Sequence, residues 1–345
     1  MRKIINIEST SIGKTRKKND DGLYIGENFA AVIDGVSSKS SIMVNGEKVG
    51  IADIIIDAIK KIDRKNAPIY AKTLNLDEFS RAINMYIKKF CDKNDISLQE
   101  HKLEATAAIY SKYYNQIWLV GDCRAVYDGK IIDNELKADD LYAEIRLEIV
   151  KSLLRNGYTE DDIFREDVSS EIIKYPETYS KYIKNKNEVS RIQGFIQQKM
   201  YQALLDADFS VEDITKYNLL KKYSHPQLLQ EYAKNNPKAG QYGYSVFNGI
   251  YTPVENCKVE TLPESVKNIR LSTDGFPMYI LKKSRDMGDA IRENRRLSWS
   301  DPISIDKNYG IHNSVPRGDG HIAFDDETAI DIRIDNVREE RDDER

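Results

Sequence analysis

The order of strand-like and helix-like segments limits this chain more than any other feature of its sequence. Short β-branched and aromatic runs fill residues 1–133 and return over 243–334, whereas residues 134–236 carry apolar residues at helical spacing. Strands on both sides of a helical block indicate one discontinuous α+β domain, not two tandem domains. We therefore predict a strand-rich domain made of 1–133 and 237–335, with 134–236 as a helical insertion and 336–345 as a charged tail.

Local patterns within the strand-rich part predict its elements. Apolar periodicity predicts helices near 48–64, 76–93 and 284–297. The segment WLVGDCRAVYDGKII places two apolar runs around Gly121-Asp122 and a second turn at Asp128-Gly129, which is a strong hairpin signal. Strands are predicted over 3–7, 29–33, 107–110, 117–120 and 125–127, and in the later segments YSVFNGIY, NIRLSTDG and AIDIRI.

Composition excludes several classes of protein. The chain has 52 Lys and Arg against 56 Asp and Glu, so it lacks the basic excess of a whole-chain nucleic-acid binder. Its longest apolar run, 51–59, is interrupted by Asp and is shorter than the roughly 20 residues that a membrane span requires. Cys91, Cys123 and Cys257 lie far apart, which predicts structural thiols in a reducing compartment. We expect a cytoplasmic protein without nucleic-acid or membrane partners.

Aspartates stand at the ends of several predicted strands. Asp34-Gly35 follows a buried-looking run, and Asp274-Gly275 repeats the design 240 residues later. Glycine after the aspartate permits a sharp turn and exposes a carbonyl oxygen. With only four histidines, and no pair of them at short spacing, carboxylates are the expected ligands of any metal, which favours hard ions such as Mg²⁺ or Mn²⁺. A single Asp-Gly is usually a turn, but several on strand ends that converge indicate a metal site.

Six short blocks carry a family resemblance. In chain order they are Arg16-Lys17-Lys18-Asn19-Asp20-Asp21, AVIDG at 31–35, Glu104-Ala105-Thr106-Ala107, VGDCRAV at 120–126, LSTDG at 271–275 and Asp325-Asp326-Glu327-Thr328. Together they resemble the metal-dependent protein phosphatases, the type 2C serine/threonine family, and its bacterial members in particular. The resemblance implies a four-layer α/β/β/α sandwich, in which two antiparallel sheets are flanked by helices, with a binuclear metal site at one end.

The resemblance also implies the ligands of two Mn²⁺ or Mg²⁺ ions. Asp34 would bridge them, and the remaining ligands would be the Gly35 carbonyl with Asp20 on one ion, and Asp274 with Asp325 on the other. Asp21 would orient metal-bound waters. Asp122 would join Asp274 at a weaker third metal position, although in its hairpin it can equally be only a turn residue. Two such ions activate water as the nucleophile.

Substrate binding follows from the same resemblance. Arg16 would hold the substrate phosphate through a charge-assisted contact. Family members often carry His after the Asp-Gly as a general acid, whereas this chain has Val36-Ser37-Ser38 there. His312 and His321 lie before Asp325 and can supply a proton, but a lone loop histidine is more often structural.

The expected activity is phosphomonoester hydrolysis, with a phosphoserine or phosphothreonine protein as substrate. Two alternatives stay open. One is a catalytically inactive phosphatase-like module that binds a phosphorylated partner, and the other is a hydrolase of a small-molecule phosphate. The insertion at 134–236 falls where the family has a variable flap beside the active site. It either shapes substrate or partner choice or is an elaborated scaffold.

Overall fold

The strands of the molecule are grouped into two large antiparallel sheets. A computed structural model describes residues 2–13, 19–35, 42–64, 73–134, 136–159, 162–163, 168–275 and 326–336. Within these residues the strands are β1 (Arg2–Ile12), β2 (Gly22–Ile25), β3 (Phe29–Gly35), β4 (Ile42–Val44), β5 (Glu47–Val49), β6 (Ala105–Ser111), β7 (Gln116–Val120), β8 (Arg124–Tyr127), β9 (Lys130–Ile132), β10 (Lys258–Thr261), β11 (Asn268–Ser272) and β12 (Glu327–Asn336).

Each of the two large sheets combines strands from distant parts of the chain. The first sheet has the order β1-β12-β11-β8-β9 and the second the order β10-β7-β6-β3-β2, while β4 and β5 form a separate hairpin. All neighbouring strands are antiparallel. The chain crosses from the second sheet to the first at the turn between β7 and β8. The α+β class with two antiparallel sheets is therefore confirmed.

Two helices cover the outer face of the second sheet. Helix α1 (Ile51–Ile62) and helix α2 (Leu76–Lys93) bury aliphatic side chains at helical spacing against β3, β6 and β7. Helix α2 begins with a capping box, in which Asn75 Oδ1 accepts from Glu78 N and Glu78 Oε2 accepts from Asn75 N, both at 3.0 Å. These caps and the apolar stripe explain why 76–93 was predictable from sequence.

The two sheets pack face to face through a second core. Its members are alternate residues of the facing strands, among them Val32, Ala108, Leu119, Leu271 and Ile330, all fully or almost fully buried. Alternation places the other residues of β3 and β6 in the core under the helices. The layers helix, sheet and sheet are thus present. The predicted helix near 284–297 lies outside the described residues.

The segment between the two strand-rich regions is helical, as predicted. Its helices are α4 (Lys137–Arg155), α5 (Val168–Lys174), α6 (Tyr179–Tyr182), α7 (Lys186–Asp206), α8 (Val211–Lys216), α9 (Leu219–Lys222) and α10 (Pro226–Ala233), and a short α3 (Leu98–His101) precedes β6. They share a core of their own, built mainly from isoleucines and leucines and closed by Tyr242, Tyr244 and Val246. Among the described helices, none is long and apolar enough to cross a membrane. The domain boundaries and the charged tail stay predictions.

One local prediction was wrong, and the start of one predicted helix is shifted. Residues 244–251, with the sequence YSVFNGIY, are fully described but do not form a strand: they contribute single bridges, from Phe247 to Ala105 and from Tyr244 to Lys234. The reason is the tight turn that follows, where Gly249 has φ +78° and Asn248 Oδ1 accepts from Ile250 N. The helix predicted to begin near residue 48 begins at Ile51, because the β4–β5 hairpin occupies the preceding residues.

Candidate metal centre

Three carboxylates meet at one end of the two sheets. Asp34 is the penultimate residue of β3, Asp122 lies in the turn between β7 and β8, and Asp274 lies just after β11. One carboxylate oxygen of each lies within 4.8 Å of the others. All three side chains are half-buried. Like charges at this spacing repel strongly when they are partly shielded from water. A divalent cation would neutralise that repulsion, and three carboxylate oxygens are the donors that Mg²⁺ or Mn²⁺ prefers, so the residues fit such an ion.

The glycine after each strand-end aspartate is required by close packing. A Cβ on Gly35 would lie 2.4 Å from the backbone oxygen of Asp20, and a Cβ on Gly275 would lie 2.2 Å from the backbone oxygen of Asp326. Both separations are far below van der Waals contact, so a side chain at either position would displace the neighbouring backbone. At each Asp-Gly, the glycine therefore allows the backbone of a second acidic segment, at Asp20 or at Asp326, to pack against the end of the strand.

Hydrogen bonds tie Asp20 and Asp21 to the same end of the sheets. Asp20 N donates to Asp326 Oδ2 at 3.0 Å, and Thr273 Oγ1 donates to Asp21 Oδ2 at 3.0 Å. Lys48, on β5, places Nζ 3.6 Å from Asp20 Oδ1. The two aspartates that the sequence placed before β2 are therefore anchored to the residues beside Asp274.

Asp122 is held from the neighbouring strand. Thr106 Oγ1 donates to Asp122 Oδ1 at 2.6 Å, which is a short bond typical of a carboxylate acceptor. The preceding Gly121 has φ +81°, and a Cβ there would lie 2.2 Å from Thr106 Cγ2. Glycine at 121 thus provides both the left-handed backbone and the room for the threonine. On the other side of the site, Arg124 Nη1 donates to the Asp274 backbone oxygen at 3.3 Å.

The three carboxylates affect the pKa of a buried thiol. Cys123 is fully buried, and burial raises the pKa of its thiol well above the usual range, with further increases from the charges of Asp34, Asp122 and Asp274. Cys123 is therefore a protonated thiol behind the site. Its burial agrees with the prediction that the cysteines of this chain are structural.

The structure places most of the predicted site residues at this end of the sheets. Asp34, Asp122 and Asp274 converge, Gly35 adjoins Asp34, and Asp20 and Asp21 are tied beside them. The other predicted residues, namely Arg16, Asp325, Val36-Ser37-Ser38, His312 and His321, lie outside the described residues. The roles of all these residues as ligands or phosphate contacts stay predictions.

Sequence reasoning did not assign roles to the polar residues that hold the carboxylates. These are Thr106, Thr273 and Asp326, and each of them stands inside or next to one of the six blocks. Their position in those blocks was the available signal. Their partners were not predictable, because two of the three bonds join residues more than 250 positions apart.

No family model matches the sequence, and no curated protein sequence matches it. Similar solved structures include the serine/threonine phosphatase Stp1 from Staphylococcus aureus, with 14% identity, a TM-score of 0.44, and coverage of 97% of this chain and 96% of that chain. A bacterial serine phosphatase is 14% identical, with a TM-score of 0.42, over 97% of this chain and 100% of that chain.

A third similar structure is the catalytic domain of the serine/threonine protein phosphatase PstP in complex with 2 manganese ions. It is 13% identical, with a TM-score of 0.41, over 97% of this chain and 100% of that chain.

Proposed function

We propose that this chain is a metal-dependent phosphomonoester hydrolase, and that its substrate is a protein carrying phosphoserine or phosphothreonine. The observation that carries the proposal is the convergence of Asp34, Asp122 and Asp274 within 4.8 Å, on strand ends that belong to both sheets. Such a donor set suits Mn²⁺ or Mg²⁺. Bound there, two such ions supply an activated water as nucleophile and neutralise the charge on the phosphoryl oxygens.

The acidic surroundings make activity depend on metal. A phosphate ester is an anion, and the half-buried carboxylates of Asp34, Asp122 and Asp274 repel it when no cation lies between them. We expect the metal-free protein to bind and turn over phosphate esters very poorly.

The proposed division of labour follows the resemblance. Asp34 would bridge two ions, with Asp20 and the Gly35 carbonyl on one of them and Asp274 on the other, where Asp325 would complete the set. Asp122 would contribute to a weaker third position. Arg16 would orient the phosphate group. The hydrogen bond from Asp20 N to Asp326 Oδ2 holds the backbone of Asp20 beside the segment that follows Asp325, which supports this assignment.

The test is turnover of an aryl phosphate and of phosphoserine, phosphothreonine and phosphotyrosine peptides, with Mn²⁺ or Mg²⁺ and with a chelator. Loss of a residue that hydrogen-bonds a metal ligand costs roughly 10–100-fold in activity. Because Asp34 is itself a proposed ligand, we expect Asp34→Asn to lower kcat/KM by more than this. Asp57→Asn is the matched control, because Asp57 is a 59% exposed carboxylate on the outer face of α1. Full activity of Asp34→Asn, or activity that survives chelation, would refute the proposal.

The same experiment separates the alternatives. An inactive binding module would bind phosphopeptides with Mn²⁺ but release no phosphate in a single-turnover assay. A small-molecule hydrolase would turn over aryl phosphate and reject the peptides. The proposed cytoplasmic location rests on Cys91, Cys123 and Cys257, which are free thiols.

A further inference from the structure

We propose that Thr106 is a positioning residue, which orients Asp122 and thereby sets the affinity of the metal position that Asp122 shares with Asp34 and Asp274. This inference rests on the proposed function, because it assumes that the three carboxylates hold a divalent cation. It assigns a role to a residue that touches neither the substrate nor the metal.

Thr106 lies between two of the carboxylates. It is the second residue of β6 and is 5% exposed, and the ladder pairs it directly with Asp34 on β3. Directly paired residues of antiparallel strands project their side chains to the same face. Thr106 therefore stands beside Asp34 while its hydroxyl contacts Asp122 Oδ1 at 2.6 Å.

The direction of this hydrogen bond follows from its partners. An ionised carboxylate only accepts, so the single hydroxyl proton of Thr106 points to Asp122. The oxygen of Thr106 is then left as an acceptor, and Cys123 Sγ lies 3.4 Å from it. The Thr106 hydroxyl group therefore contacts both the Asp122 carboxylate and the Cys123 sulfur.

Packing fixes the rotamer that makes this bond. The methyl group of Thr106 fills the space beside Gly121, where a Cβ would lie 2.2 Å from it. The branched side chain is thereby locked with its hydroxyl directed at Asp122. One Asp122 oxygen is consequently held, and the carboxylate cannot turn away from Asp34 and Asp274 without losing this partly buried hydrogen bond. Partners of this kind orient metal ligands and raise metal affinity.

The test compares Mn²⁺ binding to the full chain by isothermal titration calorimetry in Thr106→Val and Thr106→Ser. Valine keeps the shape of threonine and loses the donor, whereas serine keeps the donor. We expect Thr106→Val to weaken Mn²⁺ binding by about 10-fold and Thr106→Ser to stay within about 3-fold of the parent chain. Thr252→Val is the matched control: Thr252 is 3% exposed and its hydroxyl donates to the Val246 backbone oxygen at 2.9 Å, so it loses a comparable buried bond elsewhere.

A second readout separates positioning from a general loss of structure. Because Thr106 acts on a ligand, we expect Thr106→Val to require more Mn²⁺ for half-maximal activity and to recover its kcat when Mn²⁺ is saturating. Thermal melting of each metal-free variant checks the fold, and Thr106→Ala replaces the valine variant if that one does not fold. Equal Mn²⁺ affinity in Thr106→Val and the parent chain overturns this inference alone. No Mn²⁺ binding by the parent chain overturns the proposed function as well.

Discussion

Gly121 and Gly129 provide a matched pair of substitutions in consecutive turns. Both have a left-handed φ, +81° at Gly121 and +82° at Gly129. Their surroundings differ: a Cβ at Gly129 meets nothing within 4 Å, whereas a Cβ at Gly121 would lie 2.2 Å and 2.5 Å from Thr106 side-chain atoms. Replacing each glycine by alanine therefore imposes similar backbone strain at both positions, but adds a steric overlap at position 121 alone.

The expected energies follow from these two contributions. A left-handed backbone costs an L-residue roughly 1–2 kcal/mol, which is the whole expected loss in Gly129→Ala. Relieving the overlap at 121 requires movement of a buried threonine, and overpacking of this kind costs roughly 1–3 kcal/mol more. We expect Gly121→Ala to lower the free energy of unfolding by about 2–5 kcal/mol. It should also weaken Mn²⁺ binding, because Thr106 holds Asp122.

The assay is equilibrium unfolding in urea, followed by tryptophan fluorescence. Trp118 is fully buried three residues before Gly121 and reports on this part of the core. The two variants are compared in the same buffer with chelator present, so that metal binding does not contribute to the difference. Losses that agree within about 0.5 kcal/mol would refute the reasoning, since they would mean that the overlap with Thr106 has no cost.

Three further predictions concern charged groups away from the three central carboxylates. Hydrogen bonds from neighbouring arginines and a serine lower the pKa of Glu188 from 4.5 to about 2, so the ionised form stabilises the folded chain above pH 4.5. The free energy of unfolding should fall as the pH drops from about 4.5 to about 2, and it should fall less steeply in Glu188→Gln. Urea unfolding at each pH measures this, and parallel pH curves for the two chains would contradict it. The side chain of Lys234 is 11% exposed and forms an ion pair with Glu104. Lys234→Met should therefore lower the free energy of unfolding by about 2 kcal/mol, and the double variant with Glu104→Leu should recover most of that loss. The side chain of Lys48, which forms an ion pair with Asp20, is 45% exposed. Lys48→Ala should therefore change the free energy of unfolding by less than about 0.5 kcal/mol. A larger loss would show that the pair is shielded from water.

Much of the architecture was predictable, because its signals are local. Apolar periodicity predicted 76–93 as a helix, and strand patterns predicted β3, β6, β7, β8 and β12 to within two residues at each end. The first strand was predicted to end five residues too early, and β10 was not predicted. The type I′ turn at Asp128-Gly129 was predictable as well, since both residues have the positive φ that this dipeptide accepts.

The failures have a different physical origin. The segment 244–251 has strand-like composition, but its backbone pairs with Ala105 and Lys234 by single bridges that depend on tertiary packing. The β4–β5 hairpin was missed because each strand has three residues and the burial pattern is weak. At the site, the aspartates were found from their places at strand ends. Thr106 was not, since its role depends on a bond across a turn that sequence spacing does not reveal.

The turn between β7 and β8, which carries Asp122, is one of the places where the chain passes from one sheet to the other. Asp34 belongs to the second sheet and Asp274 follows a strand of the first, so one ion held by these residues would act as a cross-link between the sheets. Separating the sheets and releasing the ion would then be a single event. Metal at 100 times its dissociation constant would add about 2.7 kcal/mol to the unfolding free energy. Amide protons of β3 and β11 would become slower to exchange together, although these strands lie in different sheets.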